Sequence, residues 1–116
     1  MNWTAIGAAM LALAVATGAF GAHGLRGRLD AYSLDIWEKA VFYHFIHALG
    51  LLVVPRLTIA PARVCWLLLT GILFFSGSLY TLAISGERIL GAVTPLGGIA
   101  FIAAWLLLAW KTALSR

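Results

Sequence analysis

An all-α, four-helix transmembrane bundle is the fold class this sequence predicts, and three observations predict it. Of the 116 residues, 63% are hydrophobic and only 10% are charged, whereas a soluble domain uses about 25% charged residues. The mean hydropathy is +1.00, so lipid is the solvent in which such a chain is stable. The apolar residues fall into four runs, each close to the roughly 20 residues that cross a bilayer core, with short polar connections between them. These runs use up the length, which predicts a single membrane domain over residues 1–116.

The first span is predicted at about 3–22. No Lys or Arg precedes Arg26, so the positive n-region of a signal peptide is missing and the segment reads as a genuine helix. Small residues recur at every fourth position, at Ala14, Gly18 and Ala22 and again at Ala8, Ala12 and Ala16. That spacing lets membrane helices approach closely. Gly24 is the expected C-terminal cap. The connection from Leu25 to Asp35 mixes charge with Leu and Tyr, which places it at the interface.

The second span is predicted at about 36–54. Asp35 followed by Glu38 forms a capping-box pattern, Trp37 suits the headgroup level, and Pro55 ends the apolar run. The third span, about 62–84, opens after Pro61 and stops at Ser85-Gly86. Cys65 is the only cysteine and lies in an apolar run, so it reads as a small buried hydrophobe and not as half of a disulfide. The fourth span, about 95–111, opens on Thr94 as N-cap and Pro95 at the first helical position. Trp105 and Trp110 are expected in an aromatic belt near its end.

The net charge of +4 is scattered. No basic cluster of nucleic-acid type is present, and the charges are expected to set topology and touch lipid headgroups. Arg56, Arg63, Lys111 and Arg116 fall on one side of the membrane, and Arg26, Arg28, Lys39 and Arg88 on the other. This balance permits dual insertion; the orientation taken here puts both termini in the cytoplasm.

Polar groups inside a membrane are costly, and so they are the first place to seek function. Tyr43, His44 and His47 lie in the second span, with His47 roughly 15 Å from its predicted start. Two histidines three residues apart share a helix face. Such a pair can ligate a metal or haem, relay protons or line a ligand cavity, or hydrogen-bond across helices to fix packing. His23 sits among glycines at the end of the first span and is the only other histidine. Ser76, Ser78, Tyr80 and Thr81 mark the third span, and hydroxyls there usually bond their own helix or a neighbour. Thr94-Pro95-Leu96-Gly97-Gly98 reads as a helix start with close packing at the glycines. No span carries Asp or Glu in its middle, which argues against a small proton-coupled exporter. No Walker, Rossmann or zinc-protease motif is present.

Several motifs occur in a familiar order: Gly18-Ala19-Phe20-Gly21-Ala22-His23-Gly24-Leu25, Trp37 with Ala40-Val41-Phe42-Tyr43-His44, His47-Ala48-Leu49-Gly50-Leu51, Phe75-Ser76-Gly77-Ser78-Leu79-Tyr80, and Thr94-Pro95-Leu96-Gly97-Gly98 with Trp105. In these motifs the chain resembles the small membrane proteins of domain-of-unknown-function family 423 over nearly its whole length. The resemblance implies a multi-pass protein of the bacterial plasma membrane and supplies no activity. It directs attention to His23, Tyr43, His44, His47, Ser76, Tyr80 and Thr94 as one candidate intramembrane cluster.

The expectation is therefore a non-enzymatic packing or interaction protein, working as a homo-oligomer or as a small subunit of a membrane complex. No catalytic residue, cofactor or metal is assigned, and the expected partners are the lipid bilayer and membrane protein, not nucleic acid. The alternatives are ligand, ion or proton handling by the polar cluster and, third, a metal or haem site.

Overall fold

The computed structural model describes residues 1–114. Four helices span them: α1 Trp3–His23, α2 Ala31–Leu57, α3 Ala62–Ser85 and α4 Leu90–Leu114. Arg116, one of the charges used to weigh topology, lies outside the described residues. The bundle measures 52 × 26 × 19 Å, long enough to cross a hydrocarbon core of roughly 30 Å and reach both headgroup layers.

Three helix boundaries differ from the sequence reading. The α2 helix starts at Ala31, one turn before the expected site, because the Asp30 carboxylate accepts the Ser33 amide at 2.8 Å. That bond holds the exposed Asp30 carboxyl below the usual carboxylate range. Asp35 is therefore no N-cap; it pairs with Lys39 at 2.8 Å one turn later. At its other end, α2 carries Pro55 inside and continues to Leu57. Proline in a last turn costs one backbone bond without ending the helix at once. The third difference is α4, which starts at Leu90, so Thr94 and Pro95 lie inside it and not at its cap. The expected caps at Gly24 and Gly86 do form: Gly24 N–H donates to the Phe20 carbonyl at 2.7 Å, and Gly86, at φ 72°, donates to Leu82 at 2.8 Å. Left-handed φ is the conformation glycine adopts without strain.

The α1 helix packs along α2, α3 packs along α4, and α2 joins the two pairs by lying against α3. Close approach depends on glycines. At Gly7 an added Cβ would lie 3.0 Å from Leu51 Cβ, and at Gly21 it would fall 2.5 Å from the Trp37 ring. The α1–α2 seam thus follows Gly7, Ala14 and Gly21, with Gly18 against Val41. Of the two small-residue stripes read from sequence, Ala14 and Gly18 join this seam, while Ala8, Ala12 and Ala16 face outward.

The α3–α4 contact is tighter. An added Cβ at Gly97 would lie 2.2 Å from the Phe75 backbone nitrogen, and one at Gly71 2.2 Å from the Phe101 ring. Where Gly97 meets it, α3 widens into a π-helical turn over Ile72–Ser76. Such turns insert one extra residue and redirect the side chains after them, here Ser76 to Tyr80.

Two apolar cores result. One lies toward the chain termini and contains Trp3, Leu51, Val54, Val64, Cys65, Leu68 and Phe101. The other lies toward the α1–α2 connection and contains Leu25, Ile36, Trp37 and Ala83. The polar residues of α2 and α3 fall between them.

We expect Gly97→Ala to lower stability by about 1–3 kcal/mol, the usual cost of overpacking, because backbone cannot yield as a side chain can. Gly98→Ala, whose added carbon meets only the Phe75 ring edge at 3.8 Å, should be nearly neutral. Denaturation of the two variants in detergent, monitored by helical circular dichroism, compares them directly.

Candidate functional site

The polar layer is built around Tyr80. Its hydroxyl lies 2.8 Å from His44 Nδ1 in α2 and 3.0 Å from the Thr17 hydroxyl in α1. Thr17 is anchored twice more: its hydroxyl donates to the Ala14 carbonyl at 3.1 Å, and its own carbonyl accepts the Trp37 indole N–H at 2.8 Å. The Trp37 ring leans on Tyr80 at a centroid distance of 4.6 Å. Trp37 is 5% exposed and fills the space over Gly21, so its ring is turned into the bundle.

Proton counting limits the Thr17–Tyr80–His44 chain. Each hydroxyl has one proton to give. When Thr17 donates to Ala14, Tyr80 donates to Thr17 and His44 donates from Nδ1. When Thr17 donates to Tyr80, Tyr80 donates to His44 Nδ1 and the imidazole proton sits on Nε2. The chain can therefore run in either direction, with the His44 tautomer following. In both cases Nε2 is the outlying atom: it is enclosed and has no hydrogen-bond partner. The Met10 backbone of α1 faces the ring without reaching hydrogen-bond geometry.

His47 has different surroundings. Its Nδ1 donates to the Tyr43 carbonyl of the preceding turn at 2.7 Å, which fixes the Nδ1–H tautomer, because a carbonyl can only accept. The ring stacks on Phe101 of α4 at 3.5 Å and lies 5.8 Å from Trp105. Trp105 thus packs against His47 and over Gly50. Three residues of α2 separate the histidines by about 60° around the axis. That is enough to aim His44 at the α1–α3 gap and His47 at α4.

The remaining candidates divide further. Ser76 is fully buried and donates to the Ala40 carbonyl of α2 at 2.8 Å. The Thr94 hydroxyl meets Ser78 at 2.6 Å and joins α4 to α3. Tyr43 lends its carbonyl to His47 and its ring to Phe75, at 4.7 Å. His23 is exposed at the end of α1 and has no hydrogen bond to these groups among the described residues. The seven candidates therefore divide among four separate contacts, Tyr80–His44, Tyr43–His47, Ser76–Ala40 and Thr94–Ser78, and leave His23 outside. Among the described residues, no three His, Cys, Asp or Glu side chains converge as a metal-ligand set.

Thr17, Trp37 and Ser78 are the participants that sequence reasoning did not select for the site. Thr17 could have been found from its position: it stands three residues after Ala14 and four before Gly21, on the side of α1 that packs.

A family model described as "Protein of unknown function (DUF423)" matches residues 17–98, a span that begins at Thr17 and contains all seven candidates. The chain is 51% identical over 111 residues to the UPF0382 membrane protein SERP0230 of Staphylococcus epidermidis, covering 92% of this chain and 91% of that protein. It is 47% identical over 109 residues to the UPF0382 membrane protein YwdK of Bacillus subtilis, covering 89% of each. No solved structure matches this chain.

Interhelical hydrogen bonds in membranes average about 0.6 kcal/mol and reach about 1.7. A double-mutant cycle should therefore show coupling of about 0.5–1.7 kcal/mol between Tyr80→Phe and His44→Phe. Tyr80→Phe and Thr94→Val, which touch different contacts, should add.

Proposed function

We propose, for a chain that belongs to the DUF423 family of membrane proteins, a non-enzymatic role in the bacterial plasma membrane, exerted by association with a second copy or as a small subunit of a membrane complex. The observation that carries this reading is where the intramembrane polar side chains point. Tyr80, Ser76, Thr94 and Trp37 each bind another helix of the same chain. A hydrolytic or transfer site would instead need a nucleophile and base facing a common space. What remains available outward is apolar, and α1 is the least covered helix, with 17% of its central window buried. Its outward stripe of Ala8, Ala12 and Ala16 has the spacing that supports close helix contact. On this reading both termini face the cytoplasm, with Arg56, Arg63 and Lys111 on that side.

Cysteine crosslinking in native membranes tests the association. In a Cys65→Ala background, Ala12→Cys should give an oxidised adduct, and Ala12→Leu should weaken assembly measured by native mass. Ile102→Cys, on the outward face of α4, provides the comparison. Monomer alone at both positions, with no partner in gently extracted membranes, would sink the proposal.

One observation favours a second reading, proton or small-ligand handling: the unpartnered Nε2 of His44 at the end of a reversible hydrogen-bond chain. On that reading, vesicles holding the protein and a pH dye should pass protons faster than empty vesicles. His44→Phe should remove the excess while the variant still folds and melts cooperatively. Equal rates with and without protein dispose of proton handling.

A further inference from the structure

Charge is distributed unevenly between the two ends of the bundle. The α1–α2 and α3–α4 connections, with the start of α2, hold Arg26, Arg28, Lys39 and Arg88 together with all four acids: Asp30, Asp35, Glu38 and Glu87. Basic and acidic groups cancel there. Lys39 is paired with Asp35, and the cleft that contains Arg88 also contains Asp30. At the opposite end, Arg56, Arg63 and Lys111 have no carboxylate in the sequence segments around them.

Two of these cations share a cleft. A cavity of about 480 Å³ lies between the start of α3 and the last turns of α4, lined by Ala60, Ala62, Arg63, Leu107, Trp110 and Lys111. Lys111 Nζ donates to the Ala60 carbonyl, which holds the ammonium beside the cleft and leaves two of its three N–H donors unused. Arg63 is exposed and has no side-chain partner among the described residues, so its five donors are unused. The residue before α3, Pro61, supplies no side-chain cap to the first amides of the helix, and these add positive potential on the same side. Arg63 is the second residue of α3 and Trp110 is 62% exposed near the end of α4, which puts the cleft at headgroup depth. Leu107 continues its wall toward the hydrocarbon.

We propose that this cleft is a binding site for the headgroup of an anionic phospholipid, with Arg63 and Lys111 on the phosphate and with Leu107 and Trp110 against the upper part of its chains. The chemistry selects that occupant. Unused donors on both cations match phosphate oxygens. Among the described residues the cleft has no Asp or Glu in its lining to bind the ammonium of a zwitterionic headgroup. The apolar wall on the membrane side suits an amphiphile better than a soluble anion. The site is independent of whether copies of the chain associate.

Native mass spectrometry of the full chain, extracted in mild detergent with equal phosphatidylglycerol and phosphatidylcholine, tests it. Phosphatidylglycerol should be retained in preference. Arg63→Gln/Lys111→Gln should reduce that preference by about fivefold for each cation removed, while Arg26→Gln/Arg28→Gln should leave it unchanged. Should the double variant melt at a lower temperature than wild type, Arg63→Gln alone gives the reading, since Arg63 is exposed and makes no side-chain hydrogen bond or ion pair among the described residues, and its expected loss is about fivefold. Equal retention of the two lipids by wild type, unchanged preference in Arg63→Gln, or an equal loss in the Arg26/Arg28 variant overturns the proposal. Displacement of the lipid by millimolar inorganic phosphate overturns it in favour of a soluble phosphate site.

Discussion

Three helices meet at one phenol. The Tyr80 hydroxyl, between Thr17 and His44, gives α1, α2 and α3 a common polar contact within the apolar spans. Lipid offers no hydrogen bonds, so a hydroxyl or imidazole inside the bilayer must find a partner in the protein. Around this point the other contacts fall into place. Trp37 closes the layer from the α1–α2 connection, with its N–H on the Thr17 carbonyl. Ser76 reaches the Ala40 carbonyl one turn before His44. The same register that satisfies Tyr80 thus aligns α2 and α3 over several turns.

The alignment requires the helices to be close, and glycine permits it. Without a hydrophobic force between helices in lipid, van der Waals contact and hydrogen bonds must supply the association. Both need short distances. Gly7 and Gly21 bring α1 onto α2, and Gly71 and Gly97 bring α4 onto α3. The π turn at Ile72–Ser76 belongs to the same arrangement, since it lies where Gly97 presses on the α3 backbone. Its extra residue changes the direction of Ser76, Ser78 and Tyr80 relative to an uninterrupted helix. Hydrogen bonds to two different neighbours, α2 and α4, follow from that change.

The ends of the bundle differ in kind from its middle. At one end, opposite charges lie together at modest energetic value, since an exposed pair such as Asp35–Lys39 is screened by water and salt. At the other, among the described residues, Arg63 and Lys111 line an aromatic and apolar cleft that contains no Asp or Glu. The middle holds polar contacts between helices of the same chain, with His44 Nε2 left without a partner.

Much of this was legible in the residues alone. Four apolar runs, scarce charge and a membrane solvent determine four spanning helices, because backbone polar groups in lipid can be satisfied only within a helix or a closed barrel. The caps at Gly24 and Gly86 were also readable, being local. The polar positions His44, Tyr80, Ser76 and Thr94 were visible as costly exceptions in apolar runs. Only the tertiary structure decided which neighbour each one meets. Spacing along a helix gives an angle, and an angle becomes a contact only when the facing helix and its distance are known. Hence two histidines expected on one face turn to different helices, and Trp37 turns into the bundle because a glycine in α1 opens a space for it. The helix starts at Asp30 and Leu90 also escaped the sequence reading. Asp35 and Thr94 are good capping residues by type, but here the first engages Lys39 and the second engages Ser78 of another helix. The chain's chemistry chose its solvent and its secondary structure; the close contacts at its glycines chose the partners.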